Sequence, residues 1–132
     1  MDALDALIQK LPLPAAYRTM VDTIHRPVAD YIARRRRARG QPILVGLCGS
    51  QGSGKSTMAA FLKVLLEARG LKAAVLSLDA PYLTLPERER LAAEVHPLLR
   101  TRGVPGTHDT ALGMRLLDAL GGGHGEIAIP RF

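Results

Sequence analysis

The chain has 132 residues, enough for one small domain or for part of a larger one. Hydrophobic residues make up 47% of it, which excludes a disordered chain, and the absence of tryptophan leaves an aliphatic core. A single cysteine, Cys48, excludes an internal disulfide, and no apolar run approaches the roughly 20 residues that span a bilayer. Because the first residues are acidic rather than basic, we expect no export signal, no membrane partner and a cytoplasmic location.

The net charge of +6 is concentrated in one run, Arg34-Arg35-Arg36-Arg37, followed by Arg39. Such a run fits a solvated helix end, where basic side chains interact favourably with the helix dipole. It also fits an anionic partner such as nucleic acid. No aromatic side chain accompanies the arginines, so we favour the helix end and do not expect a nucleic-acid partner.

Residues 1–40 predict an N-terminal helical extension. Residues 3–10 have the amphipathic pattern of one short helix, and Pro12 lies just beyond it. Across residues 15–38 apolar side chains recur every three or four positions, which is the period of a helix with one buried face. Pro27 lies inside this pattern, so we expect a kink or two separate helical segments.

An α/β pattern begins after this extension. Residues 43–48 form a continuous apolar run, and residues 73–78 form a second one, as strands buried in a parallel sheet do. Residues 55–69 between them have helical periodicity, and Gly70 fits the position after a helix end. This order predicts a βαβ unit and an α/β fold of the P-loop NTPase type, with three α/β/α layers around a parallel sheet.

The remaining residues predict two more helices and a loop. Residues 84–87 read Thr-Leu-Pro-Glu, a capping box that opens a helix ending before Pro97. Residues 97–109 contain several glycines and prolines and predict a loop, and a further helix is expected at about 110–120. Residues 127–129 form a short β-like run.

Residues 49–56 read Gly-Ser-Gln-Gly-Ser-Gly-Lys-Ser and fit the P-loop pattern G-x-x-x-x-G-K-[ST] at every fixed position. Glycines let backbone N–H groups approach phosphate oxygens, and the following helix directs its partial positive end at the same anion. Lys55 can reach the β- and γ-phosphates, and the Ser56 hydroxyl can ligate Mg²⁺, so the predicted cofactors are ATP and Mg²⁺. The predicted ATP-binding residues are Gly49, Ser50, Gln51, Gly52, Ser53, Gly54, Lys55, Ser56 and Thr57.

Asp79 is a second candidate, because it follows the second predicted strand at the edge where open α/β sheets bind ligands. A carboxylate there can accept a proton from an attacking hydroxyl or hold magnesium through water. The alternative is that Asp79 caps a turn or a helix. Cys48 abuts the P-loop and is expected to be a small buried hydrophobe of the first strand.

Six segments from residue 46 onward carry a resemblance to a known family. They are Gly46 to Thr57, Leu76 to Asp79, Tyr82 to Thr84, His96 to Leu99, Arg102 to Asp109 and Ile129 to Phe132. Together they resemble the glycerate kinase group, of the D-glycerate 3-kinase type, within the phosphoribulokinase, uridine kinase and pantothenate kinase superfamily. The resemblance implies a P-loop kinase domain over residues 41–132, behind the extension at 1–40.

The resemblance also implies how far the domain extends. Relatives of this type continue past the Pro-Arg-Phe segment with another core strand, a lid and a base-binding region. The domain is therefore expected to be incomplete at its C-terminal side. A missing C-terminal half or self-association is expected to cover the exposed edge strand that results.

The resemblance implies roles for residues outside the P-loop. Asp79 matches the acidic residue proposed as catalytic base, and the acceptor-binding residues are expected to be Tyr82, Arg102, His108 and Asp109. Arg102 can pair bidentately with a small carboxylate such as glycerate, and His108 and Asp109 can contact its hydroxyls. From the residues alone, Asp109 is also a cap for the helix from 110, and His108 is also a surface residue.

One departure from the family pattern lies beside Asp79. Residues 79–82 read Asp-Ala-Pro-Tyr, where the family usually reads Asp-Asp-Phe-Tyr. The first acid and the tyrosine remain, while the second acid and the phenylalanine do not. This change leaves phosphate binding untouched and bears on how the acceptor is positioned.

The sequence therefore predicts an ATP-dependent kinase that transfers the γ-phosphoryl group to a hydroxyl of a small acceptor, with D-glycerate as the first choice. Lys55 and Asp79 are its predicted catalytic residues. The alternative is a truncated or inactive ATP-binding module that lacks catalysis. A third class, an interaction protein that uses the arginine run, is not favoured.

Overall fold

The computed structural model describes residues 2–123 and 125–130, and these residues contain six α-helices. The chain divides into two compact units, Met1–Val75 and Leu76–Phe132. A π-helical turn, Val21–His25, lies between the second and third helices, and a 3₁₀ turn, Pro97–Arg100, follows the fifth. The helices are Ala3–Lys10 (α1), Tyr17–Met20 (α2), Arg26–Arg39 (α3), Lys55–Glu67 (α4), Leu85–Glu94 (α5) and Thr110–Gly122 (α6).

The first predicted helix is confirmed as α1. The carboxylate of Asp2 caps its start, because Oδ1 accepts hydrogen bonds from the backbone N–H groups of Leu4 at 2.7 Å and Asp5 at 3.0 Å. Leu4 and Ile8 lie one helical turn apart and are both buried. The amphipathic pattern therefore marks the face of α1 that enters the core.

The predicted interruption near Pro27 is also confirmed. Pro27 lies in the first turn of α3, and the π-helical turn Val21–His25, which ends with a hydrogen bond from Arg26 N–H to the Val21 carbonyl, immediately precedes it. The arginine run forms the last turns of α3, which ends at Gly40 with a φ of 70°. Within it, Arg37 donates a hydrogen bond to the carbonyl of Arg69 at 3.2 Å.

The core of the first unit joins the helical extension to the helix that follows the P-loop. Phe61 and Leu65 of α4 have almost no solvent exposure. The extension therefore packs on one face of α4, and residues on both sides of position 40 share a single core. The predicted domain boundary at residue 40 stays a prediction. The buried cluster contains Leu4, Ile8, Val21, Ala29, Ile32, Phe61, Leu62 and Leu65.

The predicted strands are not found in the structure. Residues 43–48, 73–78 and 127–129 are neither helix nor strand, and the described residues contain no β-ladder. Leu44 is 82% exposed and Leu78 is 80% exposed. A strand satisfies its N–H and C=O groups only through a paired neighbour, and none of the three runs has one among the described residues. The parallel sheet is therefore not confirmed.

The same lack of pairing corrects the expectation for Cys48. Its side chain is exposed, so the prediction that it is a small buried hydrophobe was wrong. An apolar run is buried on both faces only where neighbouring strands and helices cover it. The sequence of residues 43–48 carries the preference for burial but does not supply those neighbours.

The second unit contains α5 and α6. The predicted capping box opens α5, since Thr84 N–H donates to the Glu87 carboxylate at 2.8 Å and Thr84 Oγ1 accepts from Glu87 N–H at 3.5 Å. The helix ends at Glu94, before Pro97, as predicted. No helix in the described part of the chain is long and apolar enough to cross a membrane.

Candidate functional site

The P-loop segment lies immediately before α4, which begins at Lys55. Gly52 and Gly54 have φ values of 75° and 88°, a conformation in which a side chain is strained. A backbone hydrogen bond from Ser53 N–H to the Ser50 carbonyl, at 3.2 Å, closes the turn. Gly52 and Gly54 therefore occupy positions that need the left-handed conformation.

Gly49 has a different reason to be glycine. A Cβ added there would lie 2.8 Å from Ser53 Oγ and 3.3 Å from Lys55 Cγ. Both distances are shorter than ordinary van der Waals contact. The missing side chain leaves room for the side chains of Ser53 and Lys55 to pack against the backbone of Gly49.

Lys55 and Ser56 open α4. The Lys55 ammonium group donates a hydrogen bond to the Ser50 carbonyl at 2.7 Å, so the side chain lies back across the loop. The exposed hydroxyl of Ser56 has no partner among the described residues. The first helical hydrogen bond runs from Met58 N–H to the Gly54 carbonyl at 2.9 Å. The amides of residues 54–57 therefore have no partner among the described residues and are available to an anion.

These features fit a nucleotide polyphosphate with its magnesium ion. The backbone amides and the ammonium group supply hydrogen-bond donors for phosphate oxygens, and the Ser56 hydroxyl supplies an oxygen ligand of the kind that Mg²⁺ takes. The loop is built from local geometry alone, since every contact described lies within residues 49–58.

In the second unit Asp79 lies in a tight turn. Its backbone N–H donates to Ser77 Oγ at 3.2 Å, and Ala80 N–H donates to the Ser77 carbonyl at 3.0 Å. The Asp79 side chain is exposed, and its carboxylate accepts no hydrogen bond from the described residues. It is therefore accessible to a reacting group and caps neither a turn nor a helix within that part of the chain.

Three of the predicted acceptor residues lie together. The backbones of Tyr82 and His108 form an antiparallel bridge, and their rings stack with centroids 4.1 Å apart and planes 26° apart. The guanidinium of Arg102 lies over the Tyr82 ring, with Cζ 5.6 Å from the ring centroid. We call Tyr82, Arg102 and His108 the aromatic–arginine cluster.

Asp109, the fourth predicted acceptor residue, follows this cluster and caps α6. Its Oδ1 accepts a hydrogen bond from Leu112 N–H at 2.9 Å. Its own N–H donates to the Pro81 carbonyl at 2.6 Å, which extends the pairing between the Tyr82 and His108 segments. The capping role that the residues alone allowed is therefore present, and one carboxylate oxygen is engaged in it.

The sequence interpretation missed two buried polar residues beside this cluster. Thr107 is fully buried, and its hydroxyl donates to the Val104 carbonyl at 2.6 Å. Arg88 of α5 is only 7% exposed. A signal was present for Arg88, since it lies three residues before Leu91 on the less exposed side of α5, where a charged side chain is unusual.

Residues 19–84, half of the chain, match the family model described as methylmalonyl Co-A mutase-associated GTPase MeaB. That range contains the whole P-loop, α4 and Asp79. No solved structure matches the chain significantly.

Three curated relatives are kinases by name. The uncharacterized kinase mug58 of Schizosaccharomyces pombe is 35% identical over 106 residues, which are 78% of this chain and 38% of that protein. A pantothenate kinase of Leifsonia xyli is 30% identical over 107 residues, 81% of this chain and 32% of that protein. The chloroplastic D-glycerate 3-kinase of Arabidopsis thaliana is 35% identical over 81 residues, 60% of this chain and 18% of that protein.

The chain spans less than two fifths of the length of each of these relatives. Two of the names state different acceptors and the third states none, so the three relatives support a kinase-like group as a whole rather than glycerate kinase specifically. All three names are those of kinases, and the family model is that of a P-loop GTPase. The chain therefore belongs to the P-loop family that the MeaB model describes, and its relatives make it a kinase-like member.

Proposed function

We propose that the chain is the nucleotide-binding part of an ATP-dependent kinase that phosphorylates a hydroxyl of a small acceptor. The observation that carries this proposal is the loop at the start of α4, where Gly49 is closely approached and Lys55 lies across the backbone of Ser50. Three kinase relatives support phosphoryl transfer. Because the chain matches a P-loop family model, we also propose the α/β/α layering with a parallel sheet for the complete protein.

The proposed reaction assigns a separate task to each residue. The loop amides and Lys55 bind the β- and γ-phosphates and neutralise the charge on the transferred group. The Ser56 hydroxyl would hold magnesium, which would neutralise further phosphate charge. Asp79 orients the acceptor hydroxyl and takes its proton as the acceptor oxygen bonds to the γ-phosphorus. The bond from that phosphorus to the bridging oxygen breaks, and ADP leaves.

The aromatic–arginine cluster is the proposed acceptor site. A guanidinium recognises a carboxylate through two parallel hydrogen bonds, so Arg102 favours an acceptor that carries a carboxylate beside its hydroxyls. D-glycerate has this chemistry, and the D-glycerate 3-kinase relative supports it. His108 supplies a hydrogen-bonding edge for a hydroxyl, and the remaining oxygen of Asp109 supplies another.

GTP hydrolysis is a second candidate, because the matched family model is named for a GTPase. The two candidates share the P-loop and differ in the base that is bound and in the group that receives the phosphoryl. Three kinase relatives against one GTPase family favour the kinase.

Calorimetry with Mg·ATP and with Mg·GTP tests nucleotide binding first, with Lys55→Ala as the control that should abolish the heat. Incubation with γ-labelled ATP and a panel of hydroxy acids, nucleosides and pantothenate then tests transfer. The proposal expects binding of Mg·ATP and label on a hydroxy acid. Binding without transfer to any acceptor would instead identify an inactive ATP-binding module, and release of phosphate from GTP alone would identify the second candidate.

A further inference from the structure

Arg88 is a buried cation that contacts two backbone segments. Its Nε donates a hydrogen bond to the Leu83 carbonyl at 3.1 Å, and its Nη1 donates to the Arg100 carbonyl. Among the described residues no carboxylate pairs with it. Both of its hydrogen-bond acceptors are neutral main-chain groups.

The two carbonyls lie next to the aromatic–arginine cluster in the sequence. Leu83 follows Tyr82, and Arg100 precedes Arg102 by two residues. The Leu83 segment is also joined to the far end of the same loop, because Leu83 N–H donates to the Thr107 carbonyl at 2.9 Å. Arg88 therefore joins the beginning of loop 101–107 to the segment that already holds its end.

Closing the loop at its base determines where its side chains project. Arg102 lies inside the closed segment, and Tyr82 and His108 lie on the paired backbones at its base. Thr107 is fully buried and bonds to Val104, which fixes the turn within the loop. With both ends held, the guanidinium of Arg102 has a defined place relative to the Tyr82 ring.

A purely space-filling role does not account for this residue. Burying a guanidinium against neutral carbonyls costs free energy that an apolar side chain of the same size would avoid. A lysine could donate from only one nitrogen, whereas the planar guanidinium can donate to two acceptors at a fixed separation. What arginine supplies here is a fixed distance between two chain segments.

We propose that Arg88 is a positioning residue for the acceptor site, holding the aromatic–arginine cluster in the arrangement that binds the acceptor carboxylate. This inference rests on the proposed kinase function. It acts through the backbone of Leu83 and Arg100 and involves no contact with the acceptor itself.

Steady-state kinetics test the role in the whole chain with γ-labelled ATP and D-glycerate. Arg88→Met removes both hydrogen bonds at similar length, and Arg88→Lys can restore one. We expect the KM for glycerate to rise tenfold or more in Arg88→Met and less in Arg88→Lys, with the KM for ATP unchanged within about twofold. The matched control is Arg90→Met, which changes an exposed arginine of the same helix and should leave both constants unchanged.

An unchanged KM for glycerate in Arg88→Met would overturn the proposal. So would equal rises in the KM for glycerate and the KM for ATP, because that pattern indicates a general structural role; a smaller folded fraction, measured by circular dichroism, lowers only the apparent kcat. If Arg88→Met does not fold, the same test is made with Arg88→Lys: a higher KM for glycerate with an unchanged KM for ATP supports the proposal, and an unchanged KM for glycerate overturns it.

Amide hydrogen exchange separates this inference from the proposed function. If the wild-type chain phosphorylates nothing, the kinase proposal fails, and exchange still tests the loop closure. We expect at least tenfold faster exchange at the amides of Leu83 and Asp109 in Arg88→Met, with the interior of α6 unaffected. Equal protection at Leu83 and Asp109 in both proteins would show that Arg88 does not hold the loop.

Discussion

The imidazole of His25 lies against the ring of Phe61, with ring centroids 5.5 Å apart. Tyr17 packs on both rings, at 5.7 Å from His25 and 5.4 Å from Phe61. His25 belongs to the π-helical turn and Phe61 to α4, so this contact joins the N-terminal extension to the helix that follows the P-loop. Because His25 is 3% exposed and its Nδ1 has no partner among the described residues, a proton there would be poorly solvated.

The first prediction concerns the loss of folding stability at low pH. Burial lowers the pKa of His25 below its ordinary value, and burial raises the pKa of Tyr17, so folding favours the neutral form of each side chain. The unfolded chain then binds more protons than the folded one below about pH 6.5, and stability falls as the pH drops through that value. The slope for one proton is at most about 1.4 kcal/mol per pH unit.

Thermal melting between about pH 5 and pH 8 checks this. His25→Phe keeps a ring in the cluster and removes the titration, so its melting temperature should depend less on pH in this window. The control is Tyr17→Phe, which keeps the ring and leaves the His25 imidazole in place, and should keep the wild-type slope. Identical slopes in wild type and His25→Phe would contradict the prediction.

The second prediction concerns the close approach at Gly49. Gly49→Ala places a Cβ against Ser53 Oγ and Lys55 Cγ, so the loop must shift, and we expect the affinity for Mg·ATP to fall about tenfold, or about 1.4 kcal/mol. Gly46→Ala is the matched control, since a Cβ there meets nothing within 4 Å. Calorimetry measures both variants.

A double variant identifies the cause of that loss. Ser53→Ala removes the nearer of the two atoms, so combining it with Gly49→Ala should recover part of the affinity relative to Gly49→Ala alone. If the double variant binds no better, the steric explanation fails. If Gly46→Ala weakens binding as much as Gly49→Ala does, the close approach is not what makes glycine necessary.

The third prediction separates two roles of Asp109. Asp109→Ala removes the cap of α6 and should cost about 1 kcal/mol of unfolding free energy, whereas Asp109→Asn should keep most of the cap. Both variants remove the negative charge that is proposed to contact the acceptor. Chemical denaturation should therefore distinguish the two variants, while the KM for the acceptor should rise in both. If Asp109→Ala and Asp109→Asn have equal unfolding free energies, the Asp109 side chain does not stabilise α6 as a cap.

The fourth prediction concerns Asp79. Asp79→Asn keeps the size of the side chain and removes its ability to take a proton, so turnover should fall by at least about a hundredfold. The affinity for Mg·ATP should stay within about twofold, because the P-loop contacts lie within residues 49–58. Unchanged turnover would exclude Asp79 as the base.

Signals confined to a few neighbouring residues were sufficient for much of this structure. The capping box at Thr84, the interruption beside Pro27 and the helix start at Lys55 were all predicted from spacings of at most four residues. Each depends on backbone groups that lie within one helical turn, so the composition of that turn is enough to specify them.

The predicted strands at residues 43–48 and 73–78 are not confirmed, for the opposite reason. Their apolar composition was interpreted as buried strands, and the exposed Leu44, Cys48 and Leu78 show that no strand covers them in the described residues. A strand is completed by partners that can lie anywhere in the sequence, and the run itself does not contain them.

From the sequence alone, the P-loop and the helices around it could be assigned, because glycine geometry and helical periodicity act over short distances along the chain. The burial of His25 against Phe61, the stacking of Tyr82 on His108 and the joining of two loop ends by Arg88 became known only from the folded coordinates. The ring contacts join residues that are far apart in sequence, and Arg88 joins two loop ends that are also far apart, so packing rather than local preference brings them together.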